Sequence, residues 1–148
     1  MGVTRRLLLV EDDELVRRAV ARRLKRDGYD VAVAGTGAQA VANAGPFDIG
    51  VFDIDLPDAN GIDVAGALLA AGTVGRAVFF SATYHPSIVA RARRLGAFVE
   101  KGAGIDVLLG VLRQADREAE ARARAVGSPS DAPGKFPTEP PSAVRRRT

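Results

Sequence analysis

The sequence contains no cysteine and one histidine, His85. Disulfides, a thiolate nucleophile and cysteine-based metal sites are therefore excluded. A lone histidine makes a poor metal ligand, so His85 is read as a loop residue of no special role. Long apolar runs are also missing. Arg5-Arg6 is followed by only four apolar residues before Glu11, too few for a signal-peptide core or a membrane span. The expected location is cytoplasmic, with no membrane partner. Strong charge imbalance is confined to the end of the chain: residues 1–126 carry 17 basic and 16 acidic side chains, whereas the last 22 residues carry four and two. The pI near 9.8 is thus a weak argument for nucleic acid, and no direct DNA binding is expected.

What is present is a core-forming composition, 47% hydrophobic over 148 residues, enough for one ordinary domain. Apolar runs alternate with helical patterns. Leu7 to Val10 is continuously apolar, as suits a central parallel strand covered on both faces, and ends at Glu11-Asp12-Asp13-Glu14. Leu15, Val16, Ala19, Val20 and Leu24 then follow helical spacing behind an Asp13 cap. The other face of that helix bears Arg17, Arg18, Arg22 and Lys25, read as a solvated charged face rather than a docking surface.

Further strands are predicted over 29–34, 48–53, 76–81 and 97–100, and further helices over 36–44, 62–69 and 86–94 and from Ile105 to about Ala125. Five strand-helix units argue for an α/β fold: a doubly wound five-stranded parallel sheet with helices on both faces. The domain is expected over residues 1–125. Residues 126–148, with five of the eight prolines, are expected to be a disordered basic tail, and Arg145-Arg146-Arg147 too few charges to bind nucleic acid tightly.

In such a sheet the strand ends share one edge, which gathers Glu11 and Asp12, Asp53, Ser81 and Lys101. Carboxylates brought that close repel one another unless a cation offsets them. An oxygen-preferring dication such as Mg²⁺ suits this set, bound by one or two carboxylates with waters and a phosphate. Lys101 and the Ser81 hydroxyl could then hold the remaining phosphoryl oxygens.

Four segments in order, Leu-Leu-Leu-Val-Glu-Asp-Asp, Phe-Asp-Ile-Asp-Leu-Pro-Asp-Ala-Asn-Gly, Phe-Phe-Ser-Ala and Gly-Ala-Phe-Val-Glu-Lys, give the chain a resemblance to the receiver domain of bacterial two-component response regulators, which have a flavodoxin-like fold. The resemblance covers about residues 5–123. It implies that Asp53 is the phospho-acceptor, taking a phosphoryl group from a sensor histidine kinase or phosphotransfer protein. It implies that Asp12 and Asp53 ligate Mg²⁺, with Glu11 acting mainly through water and the backbone carbonyl of Asp55 completing the set. Lys101 pairs with the aspartyl phosphate, Ser81 is the hydroxyl that moves toward it, and Phe98 occupies the aromatic switch position. Such a domain is a signalling phospho-acceptor rather than an enzyme, and its output is expected to be another protein.

The sequence departs from the family pattern in three places. Gly102 stands where proline is usual after the lysine, Phe98 replaces the commoner tyrosine, and the stretch from Ser81 to Lys101 is slightly short. Two rival readings remain. Asp53-Ile54-Asp55 also fits the start of haloacid-dehalogenase-type phosphatases, but those place the motif early in the chain and further acids after the lysine. The other rival is a binding module with the same fold, regulated by a partner without phosphorylation.

Overall fold

The computed structural model describes residues 4–82 and 85–126. The expected tail, with its arginine triplet, lies outside the described residues. The described residues up to Val111 group into one compact unit and those from Leu112 to Val126 into a second. The sheet and all the candidate residues named above belong to the first.

The element order is β1 (Arg6–Val10), α1 (Glu14–Arg26), β2 (Asp30–Ala34), α2 (Gly37–Ala42), β3 (Ile49–Phe52), α3 (Gly61–Ala70), β4 (Ala77–Ser81), α4 (Pro86–Leu95), β5 (Gly96–Glu100), a 3₁₀ turn (Lys101–Ala103) and α5 (Ile105–Val126). The five strands form one sheet in the order β2-β1-β3-β4-β5, with every pairing parallel. The expected doubly wound architecture is therefore present. Its strand order reverses between β1 and β3, the switch point outside whose carboxyl ends ligands gather in such sheets.

The central strands are apolar along their length because both faces are covered: Leu7 to Val10, Ile49 to Phe52 and Ala77 to Phe80 are all buried. Alternation along each strand sorts them between two cores. Leu8, Val10, Phe52 and Phe79 join Ile62, Val64, Ala65 and Leu68 of α3 and Ala92 of α4 on one face. The rings of Phe52 and Phe79 lie 6.0 Å apart there, and burying each contributes about 1.5–3 kcal/mol. On the opposite face, α1 buries Val20, Ala21 and Leu24. An Arg23–Asp106 ion pair of 2.7 Å ties α1 to the first turn of α5.

Local chemistry explains most boundaries. Asp13 caps α1 by accepting the Val16 N–H at 3.0 Å, and Thr36 caps α2 by accepting that of Gln39 at 3.0 Å. Helix α2 is shorter than the pattern over 36–44 predicts, because Asn43 leaves helical geometry ahead of Gly45-Pro46. Pro86 opens α4 at its first turn, as expected. Helix α4 passes into β5 without a loop: Gly96 both ends the helix and begins the strand. A side chain at Gly96 would strike the carbonyl of Ala77, so only glycine lets the strands approach there.

Candidate functional site

Asp53 follows the last residue of β3 and prolongs the ladder by donating its N–H to the Val10 carbonyl at 2.9 Å. Its side chain is almost enclosed, the residue being 6% exposed. One carboxylate oxygen, Oδ1, accepts the Ser81 hydroxyl at 2.9 Å and the Asp55 N–H at 3.4 Å. The other, Oδ2, accepts the Lys101 ammonium at 2.9 Å. Ser81 is fully buried at the end of β4, and Lys101 follows β5 directly.

Lys101 also reaches Glu11, its Nζ lying 2.8 Å from Oε1. The remaining Glu11 oxygen accepts the Asp13 N–H at 3.1 Å. Glu11 is only 2% exposed, and its burial raises its pKa above the ordinary carboxyl value, as does the nearby Asp53 charge. Hydrogen bonds from Lys101 and the Asp13 amide pull the other way without cancelling the rise. For Lys101, burial disfavours the ammonium, yet hydrogen bonds to Glu11 and Asp53 outweigh that and raise its pKa. The lysine is therefore charged at neutral pH.

Asp12 completes an acidic set in which one carboxylate oxygen each from Glu11, Asp12 and Asp53 lie within 4.8 Å of one another. Its side chain is exposed and has no hydrogen bond or ion pair among the described residues. The donor set is all hard oxygen, which suits a small dication. Parallel strand ends thus bring together Glu11, Asp12, Asp53, Ser81 and Lys101. Phe98 stands apart, half-buried on β5 in register with Phe79 and packed on the apolar core. Gly102, in place of proline, lies in the 3₁₀ turn, and Lys101 still reaches Asp53. His85 sits at the N-cap position of α4, where its Nδ1 lies 2.8 Å from the Ser87 hydroxyl.

Three residues shape the site without having been singled out for it by sequence. Gly61 reads only as a turn former, but a Cβ there would fall on the Asp53 carbonyl oxygen. Its N–H donates to the Ile54 carbonyl at 2.7 Å, folding the loop tightly under the aspartate. Asp58 accepts the N–H groups of Gly37 at 2.8 Å and Ala38 at 3.0 Å, fastening the loop to the start of α2. Those bonds, that from Gly37 foremost, hold its pKa below the usual carboxylate value. Arg17 donates from Nη1 to the Glu11 carbonyl at 2.9 Å and the Asp12 carbonyl at 3.5 Å, bracing the acidic loop. The Gly61 signal was available in its position at a helix start; Asp58 finds its partners about twenty residues away, which no local pattern reveals.

Comparison with known proteins agrees with this geometry. The family model for the response regulator receiver domain matches residues 7–113. The transcriptional regulatory protein KdpE of Mycobacterium tuberculosis is 36% identical over 121 residues, which cover 79% of this chain and 53% of KdpE. The chain spans about half the length of the curated relatives it matches first. Among solved structures, the non-phosphorylated HemR receiver domain from Leptospira biflexa superposes with a TM-score of 0.70 at 33% identity, covering 76% of this chain and 94% of that one. The Thermotoga maritima response regulator TrrA, in complex with Mg²⁺-BeF, gives 0.68 at 23% identity, covering 76% and 99%. The chain belongs to the response regulator receiver domain family.

Proposed function

We propose that this protein stores a signal as a phosphoryl group on Asp53, received from a phosphohistidine of a sensor histidine kinase or phosphotransfer protein, and presents a changed surface to a protein partner. The observation that carries this reading is the Asp53 carboxylate, held between the Ser81 hydroxyl and the Lys101 ammonium beside two further acids. Glu11, Asp12, Asp53 and the Asp55 backbone carbonyl would hold Mg²⁺, which the TrrA complex contains. Bound there, Mg²⁺ would supply positive charge for the transferring oxygens.

The chain's own residues do the rest. An Asp53 oxygen attacks phosphorus as the bond from phosphorus to the partner's imidazole breaks. The histidine, protonated on its other ring nitrogen, leaves as neutral imidazole. Lys101 and Ser81 fix the attacking carboxylate in place beforehand, so positioning is supplied by the fold rather than at the moment of reaction. After transfer, Lys101 turns to a phosphoryl oxygen and Ser81 donates to another. Movement of Ser81 frees space that Phe98 enters from the neighbouring strand, converting charge into packing. The residues act on a group that stays on the protein, so this is a phospho-acceptor and not a turnover enzyme. The cysteine-free composition suits the cytoplasm as its place of work.

Incubation with acetyl phosphate or a phosphorylated kinase plus Mg²⁺ should give a hydroxylamine-labile adduct on Asp53, absent in Asp53→Asn. No adduct under conditions that label a control receiver would favour a module regulated by its partner alone. Turnover of a generic phosphate ester, abolished by Asp53→Asn, would favour a phosphatase.

A further inference from the structure

A groove of about 480 Å³ runs between α1 and the exposed side of β2, away from the phosphoryl site. Its floor is apolar: Ala21 of α1 and Val33 of β2, the latter 45% exposed although it is a valine on a strand. Its rim is cationic throughout, from Arg18, Arg22, Lys25 and Arg26, and no acidic side chain lines it. Arg18 is engaged by Glu14 at 3.6 Å. The side chains of Arg22, Lys25 and Arg26 have no hydrogen bond or ion pair among the described residues.

A solvated charged face normally mixes signs and pairs its cations with neighbouring acids three or four residues away. Here the cations recur at that spacing, 18, 22 and 25–26, with acids absent from the groove and apolar surface exposed between their stems. We propose that the groove docks an acidic amphipathic helix of a protein partner. The partner's carboxylates would recur every three or four residues to meet the rim, and its leucine-like side chains would lie on Val33 and Ala21. Nucleic acid fits less well, because the floor offers apolar aliphatic surface and no aromatic ring on which a base could stack. Arg17 also lines the groove while holding the Glu11 and Asp12 carbonyls, so an occupant would touch a residue that braces the acidic loop.

The test uses the full chain and a fluorescein-labelled helical peptide of leucine and glutamate, read by anisotropy. Saturable binding is expected, weakened about tenfold or more by the triple change Arg22→Glu, Lys25→Glu, Arg26→Glu. Val33→Ser should weaken it as well, and a peptide with serine in place of leucine should bind poorly. Asp53→Asn should bind the peptide as wild type does, so the result stands apart from the phosphoryl reading. These side chains are exposed, so unchanged melting temperatures should show that the variants fold. Three results would overturn the proposal: no binding at about 1 mM protein, equal binding of the serine peptide, or tighter binding of duplex DNA with the same dependence on the three cations.

Discussion

Replacing Lys101 by methionine removes the one cation that Glu11 and Asp53 share. The two carboxylates then face each other with oxygens no more than 4.8 Å apart. At an effective dielectric of about 20 their repulsion is about 3–4 kcal/mol. Loss of the ammonium's own desolvation offsets much of the lost attraction, so repulsion sets the scale. A second route limits the damage: Glu11 can take a proton. Starting from an ordinary value of 4.5, that costs about 3.4 kcal/mol at pH 7 and about 0.7 kcal/mol at pH 5, at about 1.36 kcal/mol per pH unit. The sign follows from linkage. The folded-state pKa of Glu11 lies above its unfolded value, so its contribution is complete below 4.5 and is lost as pH rises through the folded value. Lys101 lowers that value in the wild type, and its removal lets it climb further. Lys101→Met should therefore cost about 3 kcal/mol at pH 7, roughly 9 °C in melting temperature, and under about 1 kcal/mol near pH 5. Urea titrations at both pH values measure it. A loss equal at the two pH values would show that Glu11 takes up no proton in the variant, and a loss near zero at pH 7 that Lys101 does not offset carboxylate repulsion.

Three other perturbations probe separate parts of the site. Mg²⁺ at about a hundred times its dissociation constant should stabilise the wild type by about 2.7 kcal/mol, and Asp12→Asn should remove most of that gain in thermal melts. Gly61→Ala should destabilise by about 1–3 kcal/mol and slow labelling of Asp53 by acetyl phosphate, because the new methyl group can be accommodated only by moving the aspartate's backbone; wild-type labelling with intact stability would count against this. Asp58 has a folded pKa below its ordinary 3.8, so its stabilising contribution is present above that value and lost as pH falls through the folded one. Asp58→Asn should accordingly flatten the acid limb of the stability curve below about pH 4, and an unchanged limb would show that the bonds to Gly37 and Ala38 do not distinguish its charge states.

Much of this protein was legible without coordinates. Continuous apolar runs such as Leu7 to Val10 announce buried parallel strands, and Asp13, Pro86 and the helical spacing of α1 mark their connections, because strand burial and helix capping are local matters. Once the strands are parallel, covalent order alone puts Glu11, Asp53, Ser81 and Lys101 at one edge. Tertiary structure decided the pairings within that edge: that Lys101 bridges two acids, that the Asp12 carboxylate makes no hydrogen bond or ion pair among the described residues, and that Ser81 already touches Asp53. Those depend on distances of an ångström between residues up to ninety positions apart, which no periodicity encodes. The same holds for Gly61 beneath Asp53, for Asp58 on α2, and for the arginine face of α1. Its sequence suggested plain solvation, and only the nearness of Val33 makes that face a groove.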